Sequence, residues 1–279
     1  MAARAPGIVI RPADAAWPSI AAYLRRLLEY RDLLRALSIH RINVRYRQTL
    51  LGVAWAVLQP LLLMTIFAVV FSRLARIPSD GMPYALFAYT ALLPWMFFST
   101  GVTNATGSLV NNAQLITKVY FPREILPLTY VIAALFDFAI GLLALAVLMT
   151  WFQVPITAAV VHLVPVVALL AAWILAVSLL VSAAQVRWRD VGVAMPVVVQ
   201  AMMFVSPVIY PLSVVPDQWR TLYLLNPMAG IINAFRDILL RGQQPEATPL
   251  GYATLVTAVA LPVAYLIFKR AEATMADVV

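Results

Sequence analysis

The sequence predicts an all-α membrane protein: six transmembrane helices, an N-terminal amphipathic interfacial helix, and short external re-entrant helices between spans five and six. Three observations lead there. Hydrophobic residues make up 63% of the 279 and charged residues only 11%, against about 45–50% and 25% in ordinary soluble domains. A chain of this length cannot hide that much apolar surface from water, so lipid must be part of its solvent. The charges are segregated, clustering between long runs that carry none. Those runs are continuously apolar rather than alternating, which argues against a β-barrel, and an open sheet facing lipid would leave backbone groups unsatisfied.

The first element lies in residues 1–47, an N-terminal cytoplasmic segment. Its opening, MAARAPGIVIRPADAAW, is broken by charges and prolines. It lacks the apolar core and small-residue cleavage site of a secretory signal, so the first span is expected to serve for targeting. Residues 20–38 then read as a helix lying on the membrane. Tyr23, Leu27, Tyr30, Leu34 and Leu37 share one face, while Arg25, Glu29, Asp32 and Arg35 fall opposite, with Arg26 and Arg31 flanking. It serves either as an anchor or as the frame of a cytoplasmic entrance.

The six-span domain occupies residues 48–268, given that about 20 residues cross the hydrocarbon. Span one is the charge-free run Gln48 to Ser72. The next such run, Gly81 to Thr117, is too long for one crossing and ends in polar residues, so span two covers roughly Tyr84–Ser108. Ile125 to Val186 holds one charge, Asp137, and breaks at Gln153-Val154-Pro155, giving span three (Pro127–Trp151) and span four (Val160–Gln185). Span five is Val191–Pro216, with Pro196 and Pro207 inside it, and span six is Ala247–Phe268. Residues 269–279 form a cytoplasmic tail.

Six crossings put both termini on one side. Loops on that side carry fifteen of the twenty basic residues and the opposite loops five: Arg73, Arg76, Arg220, Arg236 and Arg241. The Lys and Arg excess belongs inside, so both termini are expected in the cytoplasm. The net charge of +8 could point to nucleic acid. Nine arginines against three acids before residue 48, however, sit beside a hydrophobic run, where anionic membrane lipid is the economical partner.

Between spans five and six, Trp219–Leu225 and Ala229–Leu240 are apolar helical stretches too short to cross, separated by Asn226-Pro227. Proline suits the first turn of the second. Irregular backbone at that depth requires cover from protein or a water-filled cavity. On the cytoplasmic side, NNAQLITKVYFPREILP reads either as a plain connection or as a short helix docking on a partner subunit. Asp137, the intramembrane acid, is costly near the middle of span three and should face the bundle interior. It is either a structural hydrogen-bonding group or a functional one. The aromatics in and beside the spans belong to interfacial belts, to packing, or to a channel stacking on sugar rings.

Several chemistries are missing. There is no cysteine, and His40 and His162 lack metal-ligand spacing, so no metal or cofactor is expected on this chain. The two lysines precede Val119 and Arg270, so a phosphate-cradling G-x-x-x-x-G-K-[ST] loop is absent. Nothing resembles a nucleophile or carboxylate-pair catalytic motif, and one intramembrane acid gives ion-coupled transport little support.

Arg45-Tyr-Arg-Gln-Thr-Leu-Leu-Gly52-Val-Ala-Trp55-Ala-Val-Leu-Gln-Pro60 resembles the entry to span one in polysaccharide-exporting permeases of the type-2 ABC exporters, the O-antigen, teichoic acid and capsule exporter family. Phe121-Pro-Arg-Glu-Ile-Leu-Pro127 is similar to their second cytoplasmic stretch. Asp137 falls where that family tends to carry an acid. Arg187-Trp-Arg-Asp190, the motif Ser206-Pro-Val-Ile-Tyr-Pro211, and Asn226-Pro227 with Ala234-Phe-Arg236 follow in the family's order, from about residue 20 to 270. The first nineteen residues match nothing.

The resemblance implies a non-catalytic permease in the bacterial inner membrane, dimerised with a second copy and served by two copies of a separate ATPase that binds the ATP and magnesium. Its substrate would be a lipid-linked polysaccharide, O-antigen-like, on the route of lipopolysaccharide biosynthesis. Leu115, Ile116, Lys118, Val119, Tyr120 and Phe121 would dock the ATPase. Arg41, Arg45 and Arg47 would draw in the pyrophosphate, as guanidinium geometry suits, or merely anchor the inner face. Trp55, Trp95, Phe97, Phe98, Phe204, Tyr210, Asn226, Pro227 and Arg236 would line the channel or its gate. An ABC permease for drugs or simple lipids, or an ATPase-independent transporter, are the alternatives.

Overall fold

A computed structural model describes residues 28–278, and every regular element among them is helical. The helices are α1 (Arg31–Tyr46), α2 (Trp55–Phe67), α3 (Tyr84–Thr106), α4 (Ala113–Lys118), α5 (Ile125–Trp151), α6 (Leu163–Arg187), α7 (Val191–Val205), α8 (Asp217–Leu224), α9 (Pro227–Leu239) and α10 (Ala247–Val278). Among the described residues, five stretches are long and apolar enough to cross a membrane: Gly52–Leu74, Tyr84–Thr106, Ile125–Trp151, Ala158–Arg187 and Ala247–Glu272.

The hub is α3, which packs on α2, α5, α6, α7 and α9. Its Phe87, Tyr89, Phe97 and Phe98 are almost fully buried. Phe97 stacks on Phe138 of α5 at 5.2 Å between ring centres, and Phe138 meets Phe235 of α9 edge-on at 5.9 Å. Small residues let the helices close in, as in other membrane bundles. A side chain on Gly141 would strike Leu93, and the Gly141 carbonyl accepts from the Tyr89 hydroxyl at 3.3 Å. Gly230 of α9 abuts the Pro249 carbonyl at the start of α10.

The chain before α2 turns sharply, with Gln48 and Gly52 both at positive φ. The first apolar stretch begins as a 3-10 turn, Gly52–Ala54, runs through α2 and finishes as a wide π-helical segment, Ala68–Leu74. Pro60 lies inside α2, as membrane helices tolerate.

Four expectations change. Where the spacing predicts a helix over residues 20–38, the described residues hold one at Arg31–Tyr46, since nothing between Ser38 and Tyr46 breaks it; Tyr23, Arg25, Arg26 and Leu27 lie outside the described residues. Its apolar row does not face outward. Tyr30, Leu34 and Leu37 pack against a cluster of Ile116, Phe121, Ile125, Phe268 and Met275, because α1 lies along α5. The helix expected over Val191–Pro216 stops at Val205. Pro207 and Pro211 each remove an N–H, and a residue before proline is pushed out of the helical region, as Ser206 is at ψ 149°. Finally, α10 runs through the expected tail to Val278, with no glycine or proline after Pro262 to stop it.

Candidate functional site

Two sites sit towards opposite ends of the bundle. The first is a cavity of about 210 Å³ where the end of α1 meets α2, α3 and α5. Helix register builds it. Arg41 and Arg45, four apart on α1, both face α5, Arg41 meeting Tyr130 and Arg45 meeting Asp137. The Tyr46 hydroxyl donates to Asp137 Oδ1, and Arg45 Nη1 lies 2.5 Å from Oδ2. Burial pushes the Tyr46 phenol well above its ordinary pKa, and the neighbouring carboxylate adds to that. The hydroxyl therefore stays protonated and available as a donor near neutral pH. Arg41 lies over the Tyr130 ring, 4.4 Å from its centre, and donates to Asn112 Oδ1 at 2.7 Å. Arg47 is exposed.

Gln59 and Thr100 add amide and hydroxyl groups to the cavity wall, Trp55 and Phe97 add ring faces, and Met96 and Leu93 complete an apolar lining. Such a surface can hold a polar, ring-shaped molecule through hydrogen bonds on its edge and apolar contact on its face. Tyr46 and Gln59 lie within the Arg45–Pro60 motif but are not among the site residues expected from sequence, and Thr100 carries no sequence signal of its own.

The second site centres on Arg236, only 2% exposed. Its Nη1 donates to the carbonyls of Pro207 at 2.7 Å and Tyr210 at 3.3 Å, and Nη2 to Val208 at 3.0 Å. The Tyr84 hydroxyl donates to the remaining carbonyl, Ile209, at 2.7 Å. The four successive carbonyls from Pro207 to Tyr210 are thereby satisfied by two side chains. The guanidinium also lies 3.6 Å from the centre of the Phe87 ring, whose face attracts the cation.

Asn226 caps α9, accepting from Met228 N at 3.1 Å, with Pro227 in the first turn. Its amide donates to Ser206 Oγ at 2.9 Å, tying the helix start to the end of α7. Tyr210 donates to the Phe204 carbonyl at 2.8 Å and lies 3.0 Å from the Tyr223 hydroxyl. Burial, then Tyr210, pushes the Tyr223 phenol up.

The candidate channel residues thus separate. Trp55 and Phe204 are exposed, and Phe97 lines the cavity while packed. Trp95 and Phe98 are buried against each other at 5.4 Å. Asn226, Pro227 and Arg236 hold backbone in place rather than facing open space. The candidate docking residues split as well. Ile116 and Phe121 are buried and Leu115 half-buried, while Lys118, Val119 and Tyr120 project outward.

Comparison with known proteins extends this geometry. A family model described as "ABC-2 type transporter" matches residues 32–240. An O-antigen export system permease protein, RfbA of Myxococcus xanthus, is 33% identical over 258 residues, covering 91% of this chain and 98% of that protein. An RfbA of Klebsiella pneumoniae is 27% identical over 212 residues, or 76% of this chain and 81% of its own length. The polysialic acid transport protein KpsM of Escherichia coli is 24% identical over 248 residues, covering 87% and 94% respectively.

Proposed function

Because this chain belongs to the ABC-2 type transporter family, we propose that it is the membrane-spanning subunit of an ATP-driven exporter of polysaccharide. The observation that carries this is near end-to-end similarity to an O-antigen export permease, at 33% identity. The polysialic acid transport protein, similar over most of its length, supports a polymer rather than a small solute.

The chain carries no phosphate-cradling loop of its own. ATP and its magnesium are therefore held by a separate ATPase, two copies serving two copies of this chain, and this subunit is not an enzyme. Lys118, Val119 and Tyr120 are the exposed part of the docking segment and meet that ATPase.

Residues 191–211 make the remaining crossing in two parts. The 15 residues of α7 span about 22 Å at about 1.5 Å each. The turning, non-helical stretch held by Arg236 and Tyr84 makes up the rest of the roughly 30 Å of hydrocarbon. Helices α8 and α9 then re-enter from the outer side, their irregular neighbours covered by protein. The basic excess at the opposite end favours cytoplasmic termini, and the similarity to bacterial export permeases favours the inner membrane.

The substrate is a polymer on a phosphate-bearing lipid carrier, entering at the cytoplasmic end. There the exposed Arg47 and the partly exposed edge of Arg45 attract phosphate. The outward faces of α2 and α7, with Val193, Val197 and Phe204 exposed, meet a second copy, and the polymer path runs between the two. ATP-driven closure of the ATPases moves the docking segment and opens that path.

Deletion of the chain should abolish surface polymer and trap lipid-linked polymer inside the cell. Undiminished surface polymer in the deletion strain would refute the reading, and so would transport by the purified chain without any ATPase.

A further inference from the structure

The exposed stretch Lys118 to Tyr120 is followed by a turn that could flex independently of the bundle. It is instead fastened at its far side to α10. Phe121, Ile125 and Leu126 are buried with Phe268 and Met275. Glu124, at the start of α5, is 1% exposed. Its carboxylate accepts from Lys269 Nζ at 2.7 Å, and the same ammonium donates to Glu272 at 2.6 Å. Glu272 in turn reaches the loop twice. Its carboxylate accepts from the Arg123 backbone N–H at 3.2 Å, and its own carbonyl accepts from the Arg123 guanidinium at 2.7 Å.

A buried carboxylate is stable only if paired, and this one is paired across 145 residues of sequence to the end of the last apolar helix. It also lies at the N-terminal end of α5, where the helix dipole favours negative charge. Charge-assisted hydrogen bonds of this kind are directional and resist displacement. The turn after α4, the head of α5 and the end of α10 are therefore one mechanical unit.

We infer that Lys269, with Glu124 and Glu272, is a positioning cluster that transmits displacement of the docking segment to α10. This rests on the exporter reading above, and it adds a helix and three residues that reading does not use. Without the clamp, a push on Lys118–Tyr120 is spent in the turn. With it, the push reaches the last apolar helix and the α9 contact that α10 makes at its other end through Gly230 and Pro249.

The test uses the full chain with its partner ATPase in lipid vesicles, measuring polymer moved per ATP hydrolysed. Lys269→Met should leave assembly and ATP hydrolysis in place and lower polymer per ATP about tenfold, within the range that mutations along a coupling route produce; Lys269→Arg should keep most of it. An unchanged ratio for Lys269→Met overturns the inference.

The absence of native cysteine allows a second measurement, needed if Lys269→Met does not accumulate. In Glu124→Cys/Lys269→Cys, a thiol-bridging reagent should restore the ratio that the unbridged protein lacks. Equal ratios with and without the bridge overturn the inference too. If the unmodified complex moves no polymer, the exporter reading fails instead, so the two failures are distinct.

Discussion

Arg236, buried in an apolar bundle, and Arg45, at the partly exposed edge of the same bundle, are held in opposite ways. Both terminal nitrogens of Arg236 are held by backbone carbonyls and its plane by a ring face, only the buried Nε lacking a partner. Arg45 meets a side chain, Asp137, at the wall of a cavity, and more than a third of it stays exposed. Backbone partners fix a cation in one place, since they cannot rotate away; side-chain partners beside a void can exchange for a ligand. The Arg236 site therefore reads as scaffold and the cavity as the part that responds.

The sharpest way to break this contrast is Arg236→Met. It strips three carbonyls of their donor in a buried site and removes the cation from Phe87. The expected loss is about 3–5 kcal/mol of stability, seen as poor accumulation and a lowered Tm in detergent. Arg236→Lys should recover only part, because an ammonium cannot reproduce the planar fork. A variant as stable as the parent would remove the distinction between the two sites.

Next in size is Gly230→Ala. The added methyl meets the Pro249 carbonyl, which is backbone and cannot swing aside. Overpacking of this kind costs about 1–3 kcal/mol, and α9 must separate from α10. A Tm drop with residual export is expected; no change in Tm would mean that the two helices have slack there.

The same contrast explains what the sequence made legible. Helix existence follows from charge-free runs, and the positions of α3, α5 and α6 lie close to the expected spans because hydrocarbon length leaves little choice. The end of α7 was misread. Apolar residues continue past Val205, and apolarity says nothing of whether a backbone is helical or turning. Pro207 and Pro211 were the available signal. Arg236 was picked out by motif, but its partners are carbonyls, which no side-chain pattern reveals. Asp137 stood out as a lone acid, whereas its partner Arg45 lies 92 positions earlier and was read as a phosphate-attracting residue. Glu124 and Lys269 each looked like ordinary ends of apolar runs.

Asp137→Asn sharpens the comparison from the other side. The pair is partly exposed, so its loss should cost no more than about 1 kcal/mol, far less than Arg236→Met. An amide still accepts from the Tyr46 hydroxyl, but no longer holds Arg45 by charge. Stability near that of the parent with clearly altered polymer export is expected. Arg45→Gln should give a similar export defect, and the double variant should be no worse than either single one, the mark of a shared interaction. Additive defects would separate the two residues.

The smallest effect on stability belongs to Trp55→Ala. Its side chain lines the cavity yet remains exposed, so little packing is lost, and the change in stability should stay within about 0.5 kcal/mol. If the cavity wall acts by offering a ring face, export falls with Trp55→Ala and is largely kept with Trp55→Phe, which retains a flat face while losing the indole N–H. Equal loss in both variants would move the role from the ring to the N–H. Loss in neither would make Trp55 a lipid-facing residue and leave the cavity's response to Asp137 and Arg45.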